Sequence, residues 1–191
     1  MSKEISVGRG KVAIVDDEDF EELSKYKWYT AGNGYAMRRG DRTNGEKSAV
    51  MMHRQIADTP EGLVCDHING HRMDNRKCNL RNCTQMQNGM NKHGAWGKVE
   101  YKGVRKLART RRWSAAVTIS GQTIKLGWFK SPEDAAAAYN TVASLLFGEF
   151  ASLNDGIPID PEWQAKRIKS TIFKENTWES YLERHPELAA K

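Results

Sequence analysis

The stretch from residue 64 to residue 93 constrains this chain most, because its order of apolar and polar residues fixes a local fold. It reads VCDHINGHRMDNRKCNLRNCTQMQNGMNKH. A short apolar run leads into Asp66 and His67, and a loop rich in Asn, Gly, Asp and Arg follows. Residues Leu80 to Cys83 then form a second run suited to a strand. The segment therefore predicts two short strands joined by a polar loop.

A helix is predicted directly after the second strand. Thr84 and Gln87 have the spacing of a capping box, in which an N-cap hydroxyl and a Gln three residues later exchange hydrogen bonds with the backbone. The helix should run to about His93 and end near Gly94. His67 then lies on the first strand, and Asn88 lies in the first turn of the helix.

Four polar residues in this segment have a spacing that turn chemistry does not require. Asn79 lies twelve residues after His67, and Asn88 lies nine residues after Asn79. With Asp66 and the capped helix, this pattern resembles HNH endonucleases of the ββα-metal type, in the His-Asn-Asn variant of phage and intron homing nucleases. The surrounding text DHINGHRMDN, NLR and QMQN also resembles that family. A hairpin whose polar residues only satisfy turns is the alternative.

The resemblance implies a metal-dependent hydrolysis of DNA phosphodiester bonds. His67 would be the general base, a role that suits a side chain whose ordinary pKa lies near neutrality. Asp66 and Asn88 would hold Mg²⁺ through hard oxygen ligands, with Mn²⁺ as an alternative. Asn79 would hold the loop and orient the His67 ring by hydrogen bonding.

Further residues of the segment are candidates for supporting roles. Asn75 is expected to organise the loop, and Asn91 is expected to assist Asn88. Arg76 and Arg81, together with His71, are candidates for contacts to the DNA backbone. A solvated surface position is the alternative for each of these three.

Residues 5–54 are predicted to form a small β-rich unit. Lys11 to Val15 is a strand candidate, and a short helical segment follows at Phe20 to Lys25 with acidic residues near its start. Aromatic runs on both sides of residues 31–34, AGNG, predict a hairpin. Ala49 to His53 is predicted to be a further strand.

Two features of this unit leave alternatives open. Arg38, Arg39 and Arg42 are predicted in a polar loop, where they either face solvent or contact phosphate. His53 stands alone in an apolar context and is expected to be structural. Because phage proteins similar to this one carry a Met-His-Arg run here, His53 is kept as a secondary site candidate.

Composition limits the class of protein. Lys and Arg number 30 against 24 Asp and Glu, and the net charge of +6 is compatible with a polyanionic partner. The chain carries neither an apolar run near the length of a membrane span nor the apolar core of a signal peptide, so a cytoplasmic protein is expected. Cys65, Cys78 and Cys83 form no CxxC pair, which favours reduced thiols over a disulfide framework or a structural zinc.

The stretch 101–154 carries a second pattern. Three strand-like runs alternate apolar and polar residues, which gives a sheet one apolar and one polar face. A helix follows, with Ser131 as N-cap and Pro132 at its first position, and its apolar face includes Leu145. Packing of this helix on the apolar face would leave a basic polar face open to a DNA groove. We expect that face to carry Lys102, Arg105, Arg112, Thr118 and Lys125.

This stretch resembles the DNA-binding domain of plant ethylene-response factors, which also occurs fused to phage HNH nucleases. The matching text is YKGVR, RWSAAV, IKLGWF, the Ser-Pro-Glu-Asp-Ala-Ala cap and the closing Leu-Asn. In that family the sheet face reads bases, largely with Arg. Lys102, Arg105, Arg112 and Lys125 keep a basic residue, whereas Thr118 falls where the family often has a charged one, so the sequence preference would differ or be looser.

The sequence therefore predicts an α+β protein: a small β-rich N-terminal unit that leads into a ββα-metal motif, then a three-stranded antiparallel sheet packed on one helix, and a helical C-terminal tail. The expected function is targeted cleavage of double-stranded DNA by a monomer or a DNA-induced dimer. A DNA-binding regulator with a decayed nuclease motif is the principal alternative, and an RNA-directed nuclease is a weaker one. The predicted domains are a nuclease at 1–93 with its core at 62–93, a linker at 94–100, a DNA-binding domain at 101–154 and the tail at 155–191.

Overall fold

The structure is a computed structural model and describes residues 1–45, 48–91, 100–119 and 122–159, with the backbone alone at Arg42 and Gln122. The chain is mixed α+β and divides into two compact units, Met1–Lys92 and His93–Lys191. The predicted helical tail, from residue 160 onward, lies outside the described residues, as does most of the predicted linker. Within the described part of the chain, every helix is too short or too polar to cross a bilayer.

The first unit begins with an antiparallel hairpin. Strand β1 (Ser2–Ser6) pairs with β2 (Val12–Asp16), and helix α1 (Asp17–Ser24) follows at once with three acidic residues in its first turn. Sequence reasoning missed β1, because its alternation places a single hydrophobic residue, Ile5, in the core. The core of this unit gathers Ile5, Val7, Ala13, Val15, Leu23, Trp28, Ala36 and Met52.

A three-stranded sheet follows, in the order β3 (Tyr29–Thr30), β4 (Ala36–Arg39) and β5 (Ala49–Met51). The predicted hairpin between β3 and β4 is present. The predicted strand at 49–53 is wrong in its second half, where helix α2 (Met52–Ile56) begins. Met52 and His53 are consecutive and are 0% and 7% exposed, whereas a strand would turn one of them to the opposite face.

Arg38 does not lie in a solvated loop. It belongs to β4 and is 4% exposed. Its Nε donates to Gln55 Oε1 at 2.9 Å, and its guanidinium carbon lies 4.1 Å from the centre of the Tyr26 ring. Hydrogen bonding and cation–π attraction compensate for the loss of hydration. Arg38 is therefore a structural residue, whereas Arg39 on the same strand is exposed.

The segment singled out in the sequence forms two paired strands and a helix. Strand β6 (Val64–His67) pairs antiparallel with β7 (Leu80–Cys83), and α3 (Gln85–Met90) follows. The Thr84 capping box is formed in both directions, with Gln87 N donating to Thr84 Oγ1 and Thr84 N donating to Gln87 Oε1. The helix ends at Met90, three residues before the predicted end, and residues 92–99 lie outside the described range.

The loop between β6 and β7 is fastened to the N-terminal hairpin. Ile14 N donates to Met73 O at 2.8 Å, and Asn75 N donates to Ile14 O at 2.7 Å, so the loop makes a parallel bridge with β2. Lys77 N also donates to Asp16 Oδ2 at 2.7 Å. The first strands of the chain thus hold the loop that carries the predicted site.

The second unit is a three-stranded antiparallel sheet in the order β10-β9-β8, with α4 (Pro132–Phe147) packed on one face. The strands are β8 (Val104–Lys106), β9 (Trp113–Ile119) and β10 (Gln122–Phe129). Ser131 caps α4 by accepting a hydrogen bond from Asp134 N at 3.1 Å, as predicted. Leu145 is 47% exposed, so its predicted place on the apolar face of the helix is wrong.

Candidate active site

Asp66 and His67 close strand β6, and both are buried, with 6% and 4% of their surface exposed. Successive side chains of a strand point to opposite faces, and the two residues accordingly have different partners. Asp66 lies opposite Arg81 in the antiparallel pair, whereas His67 lies opposite Leu80. The end of β6 therefore presents a carboxylate and an imidazole, each held by its own contacts.

Three donors converge on one oxygen of Asp66. Arg81 donates to Asp66 Oδ2 from Nε at 3.0 Å and from Nη2 at 2.8 Å. Asn91 Nδ2 donates to the same oxygen at 2.9 Å. Only 13% of the Arg81 side chain, a predicted DNA contact, is exposed, and its guanidinium is paired with Asp66. These contacts fix the position of the carboxylate.

The hydrogen bond of His67 determines which ring nitrogen can act as a base. His67 Nε2 lies 3.2 Å from Asn75 Oδ1. The amide of Asn75 is oriented by its own Nδ2, which donates to Met73 O at 3.2 Å. An amide oxygen only accepts hydrogen bonds, so Nε2 carries the proton and Nδ1 keeps the lone pair. Burial lowers the pKa of His67, which favours the neutral ring.

Two further aromatic rings lie close to His67. The centre of the Tyr35 ring lies 5.7 Å from that of His67, and the centre of the His53 ring lies 5.0 Å from it in an edge-on arrangement. Burial, with a smaller contribution from His67, lowers the pKa of His53 to about 3. His53 Nδ1 is buried without a hydrogen-bond partner among the described residues. The secondary candidate His53 therefore adjoins the predicted base, on helix α2.

Asn79 holds the loop, but the predicted hydrogen bond to the His67 ring is absent from the described contacts. Its Oδ1 accepts from Asn69 N at 2.9 Å, and its Nδ2 donates to Asp74 O at 2.7 Å. Both ends of the amide are thus used inside the loop. Asn75, expected only to organise the loop, makes the contact to the ring instead. The spacing in the sequence did not show which asparagine contacts the His67 ring, since both Asn75 and Asn79 are close enough along the chain.

Helix α3 brings a further asparagine, Asn91, into contact with the end of β6. Asn91, at the C-cap of the helix, is 5% exposed and donates to Asp66 Oδ2 and to His67 O, each at 2.9 Å. Asn88 precedes it by three residues, which places both on one side of a helix. Asn88 is half-buried. Sequence reasoning gave Asn91 an assisting role, and the structure gives it direct contact with the strand end.

The donor set fits a hard divalent cation. The predicted ligands, Asp66 and Asn88, would offer a carboxylate and an amide oxygen, both of the kind that Mg²⁺ prefers. The hydrogen bonds to Asp66 fall on Oδ2, which leaves Oδ1 as the oxygen to bind a cation. Among the described residues, no group of three or more His, Cys, Asp or Glu side chains is arranged as a metal site. Water and a phosphate would have to complete the coordination.

The remaining predicted cation of the first unit is also paired. Arg76 donates from Nε to Asp74 Oδ1 at 2.7 Å and from Nη2 to Asp74 Oδ2 at 2.6 Å. This bidentate pair lowers the pKa of Asp74 below its usual range. Arg76 remains 39% exposed, but its charge is compensated, which weakens its predicted role as a DNA contact.

The second unit presents most of the predicted DNA-contacting residues on one face. Arg105, Thr118 and Lys125 are exposed on β8, β9 and β10, on the face opposite α4, and Arg112 is exposed just before β9. Lys102 differs from the prediction. It is half-buried, and its ammonium lies 5.9 Å from the centre of the Tyr139 ring on α4. Burial lowers the pKa of Lys102 to about 8.

Comparison with known proteins gives one informative similarity. A protein of Acanthamoeba polyphaga mimivirus, described as an uncharacterized HNH endonuclease, is 33% identical over 153 residues, which cover 77% of this chain and 76% of the viral protein. The matched stretch is longer than either compact unit and therefore includes residues of both. No protein-family model matches the chain, and no solved structure matches it.

Proposed function

The chain belongs to the HNH endonuclease family, and on this basis we propose that it is a metal-dependent endonuclease that hydrolyses phosphodiester bonds of double-stranded DNA. The observation that supports the proposal most directly is the pair at the end of β6. His67 has its Nε2 bonded to Asn75, and Asp66 is held rigid beside it. The proposed base and the proposed metal ligand are thus held on adjacent residues at the end of β6.

His67 is proposed to take the proton from the attacking water. Its Nδ1 keeps the lone pair because Nε2 donates to Asn75 Oδ1. As the water attacks phosphorus, its proton passes to Nδ1, the bond from phosphorus to the leaving 3′ oxygen breaks, and that oxygen takes a proton from solvent. The resulting imidazolium keeps its hydrogen bond to Asn75. Such orientation of a catalytic ring typically contributes about 10- to 100-fold to activity.

Asp66 and Asn88 are proposed to hold Mg²⁺, or Mn²⁺ in its place. When bound, the cation supplies charge stabilisation to the phosphate and the leaving oxygen. Arg81 and Asn91 hold Asp66 Oδ2, and Oδ1 is proposed as the oxygen that binds the cation. Asn79 contributes by closing the loop between Asn69 and Asp74 rather than by contact with the base.

The second unit is proposed to target the nuclease to DNA through the open face of its sheet. Its strand order, capped helix and text resemble the ethylene-response-factor domain, and the exposed cations of that face would contact phosphates and base edges. The proposed contacts are Arg105, Arg112, Thr118 and Lys125. Because residues 64–93 resemble phage and intron nucleases, a phage-type or homing-type nuclease is proposed.

The test is incubation of the full-length protein with supercoiled plasmid in the presence of Mg²⁺, Mn²⁺ or EDTA. We expect metal-dependent conversion to open circles, and linear product if two sites act together. His67→Ala should abolish cleavage and leave DNA binding intact. Lys27→Gln is the control, because it changes an exposed side chain of the same unit to which no role is assigned. A wild type that binds DNA but leaves it intact with every metal would instead support the non-catalytic regulator.

A further inference from the structure

The arginines around the candidate site differ in how their charges are compensated. Arg76 forms a bidentate pair with Asp74, and Arg81 is paired with Asp66. Arg72, in the same loop, forms no ion pair with a carboxylate in the described part of the chain, and it is exposed. Arg72 is thus a cation of this loop without a carboxylate partner among the described residues, and sequence reasoning did not select it.

Arg72 is nevertheless held in place. Its guanidinium carbon lies 5.1 Å from the centre of the Tyr35 ring, and its Nη1 donates to Asn33 O in the turn between β3 and β4. A Cβ atom added to Gly34 would lie 3.6 Å from Nη1, so the side chain packs along that turn. The ring of Tyr35 lies 5.7 Å, centre to centre, from that of His67. Arg72 is therefore stacked on a ring that adjoins the proposed base.

We propose that Arg72, stacked on Tyr35, binds a DNA backbone phosphate at the cleavage site beside His67. The inference rests on the proposed function and names a substrate contact for it. A guanidinium has five N–H donors, and the described contacts of Arg72 use one of them. Its planar fork matches two phosphate oxygens, and stacking on an aromatic ring fixes the plane of that fork.

A purely structural role is the competing explanation, because Arg72 also joins the loop to the β3–β4 turn. The two roles predict different measurements. A structural tie affects the free energy of unfolding and leaves the salt dependence of DNA binding unchanged. A phosphate contact contributes about one unit to the slope of log K against log salt concentration, and loss of that contact removes this unit.

The experiment uses the full-length chain and a synthetic DNA duplex. Affinity is measured over a salt series with His67→Ala as the parent, so that the DNA stays intact, and cleavage kinetics are measured with His67 present. Arg72→Gln should lower the salt slope by about one and lower kcat/KM by roughly 100-fold. Lys27→Gln is the charge-matched control at an exposed position of the same unit and should change neither.

Two conservative variants separate charge from geometry. Arg72→Lys should keep the salt slope, because the positive charge remains, but should recover only part of kcat/KM, because an ammonium lacks the fork. Tyr35→Phe keeps the ring and should retain more of kcat/KM than Tyr35→Leu does. Tyr35→Leu removes the aromatic face and should lower kcat/KM, with circular dichroism confirming that the variant is folded.

The outcomes distinguish this inference from the proposed function. If the wild type cleaves DNA and Arg72→Gln behaves like Lys27→Gln, the phosphate contact is refuted and the nuclease assignment stands. If the wild type does not cleave but Arg72→Gln still lowers the salt slope, the contact stands and the nuclease assignment falls. A wild type that does not bind DNA refutes both.

Discussion

Replacement of Asn75 by Ala tests whether this residue holds the proposed base. Asn75 is 0% exposed, and its amide joins His67 Nε2 to Met73 O, each at 3.2 Å. The substitution leaves the His67 N–H without an acceptor, at a cost of about 1–3 kcal/mol for a buried donor. Met73 O keeps its bond from Ile14 N at 2.8 Å, so the free energy of unfolding should fall by about 1–3 kcal/mol in all.

Asn75→Ala should also affect catalysis, because the His67 ring loses its hydrogen-bond acceptor. Without its acceptor, the His67 ring can rotate and exchange tautomers, so the fraction of molecules with a basic Nδ1 aimed at water decreases. Loss of such an orienting contact typically lowers activity by about 10- to 100-fold, which corresponds to about 1.4–2.7 kcal/mol in the activation free energy. We expect kcat to fall by this factor, and we expect KM and the affinity for DNA to stay at their wild-type values.

The assay is plasmid or duplex cleavage under saturating DNA, combined with denaturant unfolding and nitrogen NMR of the imidazole ring. Asn82→Ala is a matched control, because Asn82 Nδ2 also donates to a backbone carbonyl, that of Ala57 at 2.8 Å, but at an exposed position. It should lose about 0.5–1.5 kcal/mol of stability and keep kcat. A folded Asn75→Ala variant with unchanged kcat and an unchanged ring tautomer would refute the reasoning.

Two further predictions concern stability. Gly103→Ala should destabilise the second unit by about 2–5 kcal/mol, because φ is +74° and the new Cβ would lie 2.0 Å from Tyr139 Cδ2; denaturant unfolding measures this. Gly156 has φ +70° and open space around it, so Gly156→Ala should lose only the stability that the strained backbone conformation costs. Equal losses of stability in the two variants would contradict the steric argument. Asp74→Asn should alter the pH dependence of unfolding. The folded-state pKa of Asp74 is lowered by Arg76, so its stabilisation is present above the unfolded pKa of about 3.9 and is lost as pH falls through the folded pKa. The difference in unfolding free energy between wild type and variant should therefore be largest near neutral pH and shrink in acid; a difference constant with pH would count against the ion pair.

Local interactions explain why the β6–β7–α3 segment was predictable. The bounds of β7 and the Thr84 capping box follow from residues adjacent in sequence, and the structure confirms both. The Ser131 cap of α4 is of the same kind. Caps and alternation depend on neighbours within a few residues, so they can be predicted without a tertiary fold.

The sequence did not show the partners of side chains that contact residues distant in sequence. Arg38 was expected in a solvated loop, but Tyr26 and Gln55 offer it a ring and an acceptor inside the unit. The sequence likewise did not show the partner of Arg81, which the antiparallel register places opposite Asp66. In each case folding brings the arginine next to a partner that is far away in sequence. In the protein interior, a guanidinium with such a partner is more stable than one without.

The sequence by itself determined the order of strands and helices around residues 64–93, the presence of a carboxylate and an imidazole at one strand end, and the two-faced sheet of the second unit. The tertiary structure decided the partners: Asn75 rather than Asn79 contacts the His67 ring, and Arg76 and Arg81 pair with carboxylates whereas Arg72 lies over the Tyr35 ring. Secondary structure depends on periodic and local patterns that a sequence displays directly. The partner of a polar side chain depends on which donors and acceptors share a small volume, and the bridge between β2 and the loop brings those groups together across about 60 residues of chain.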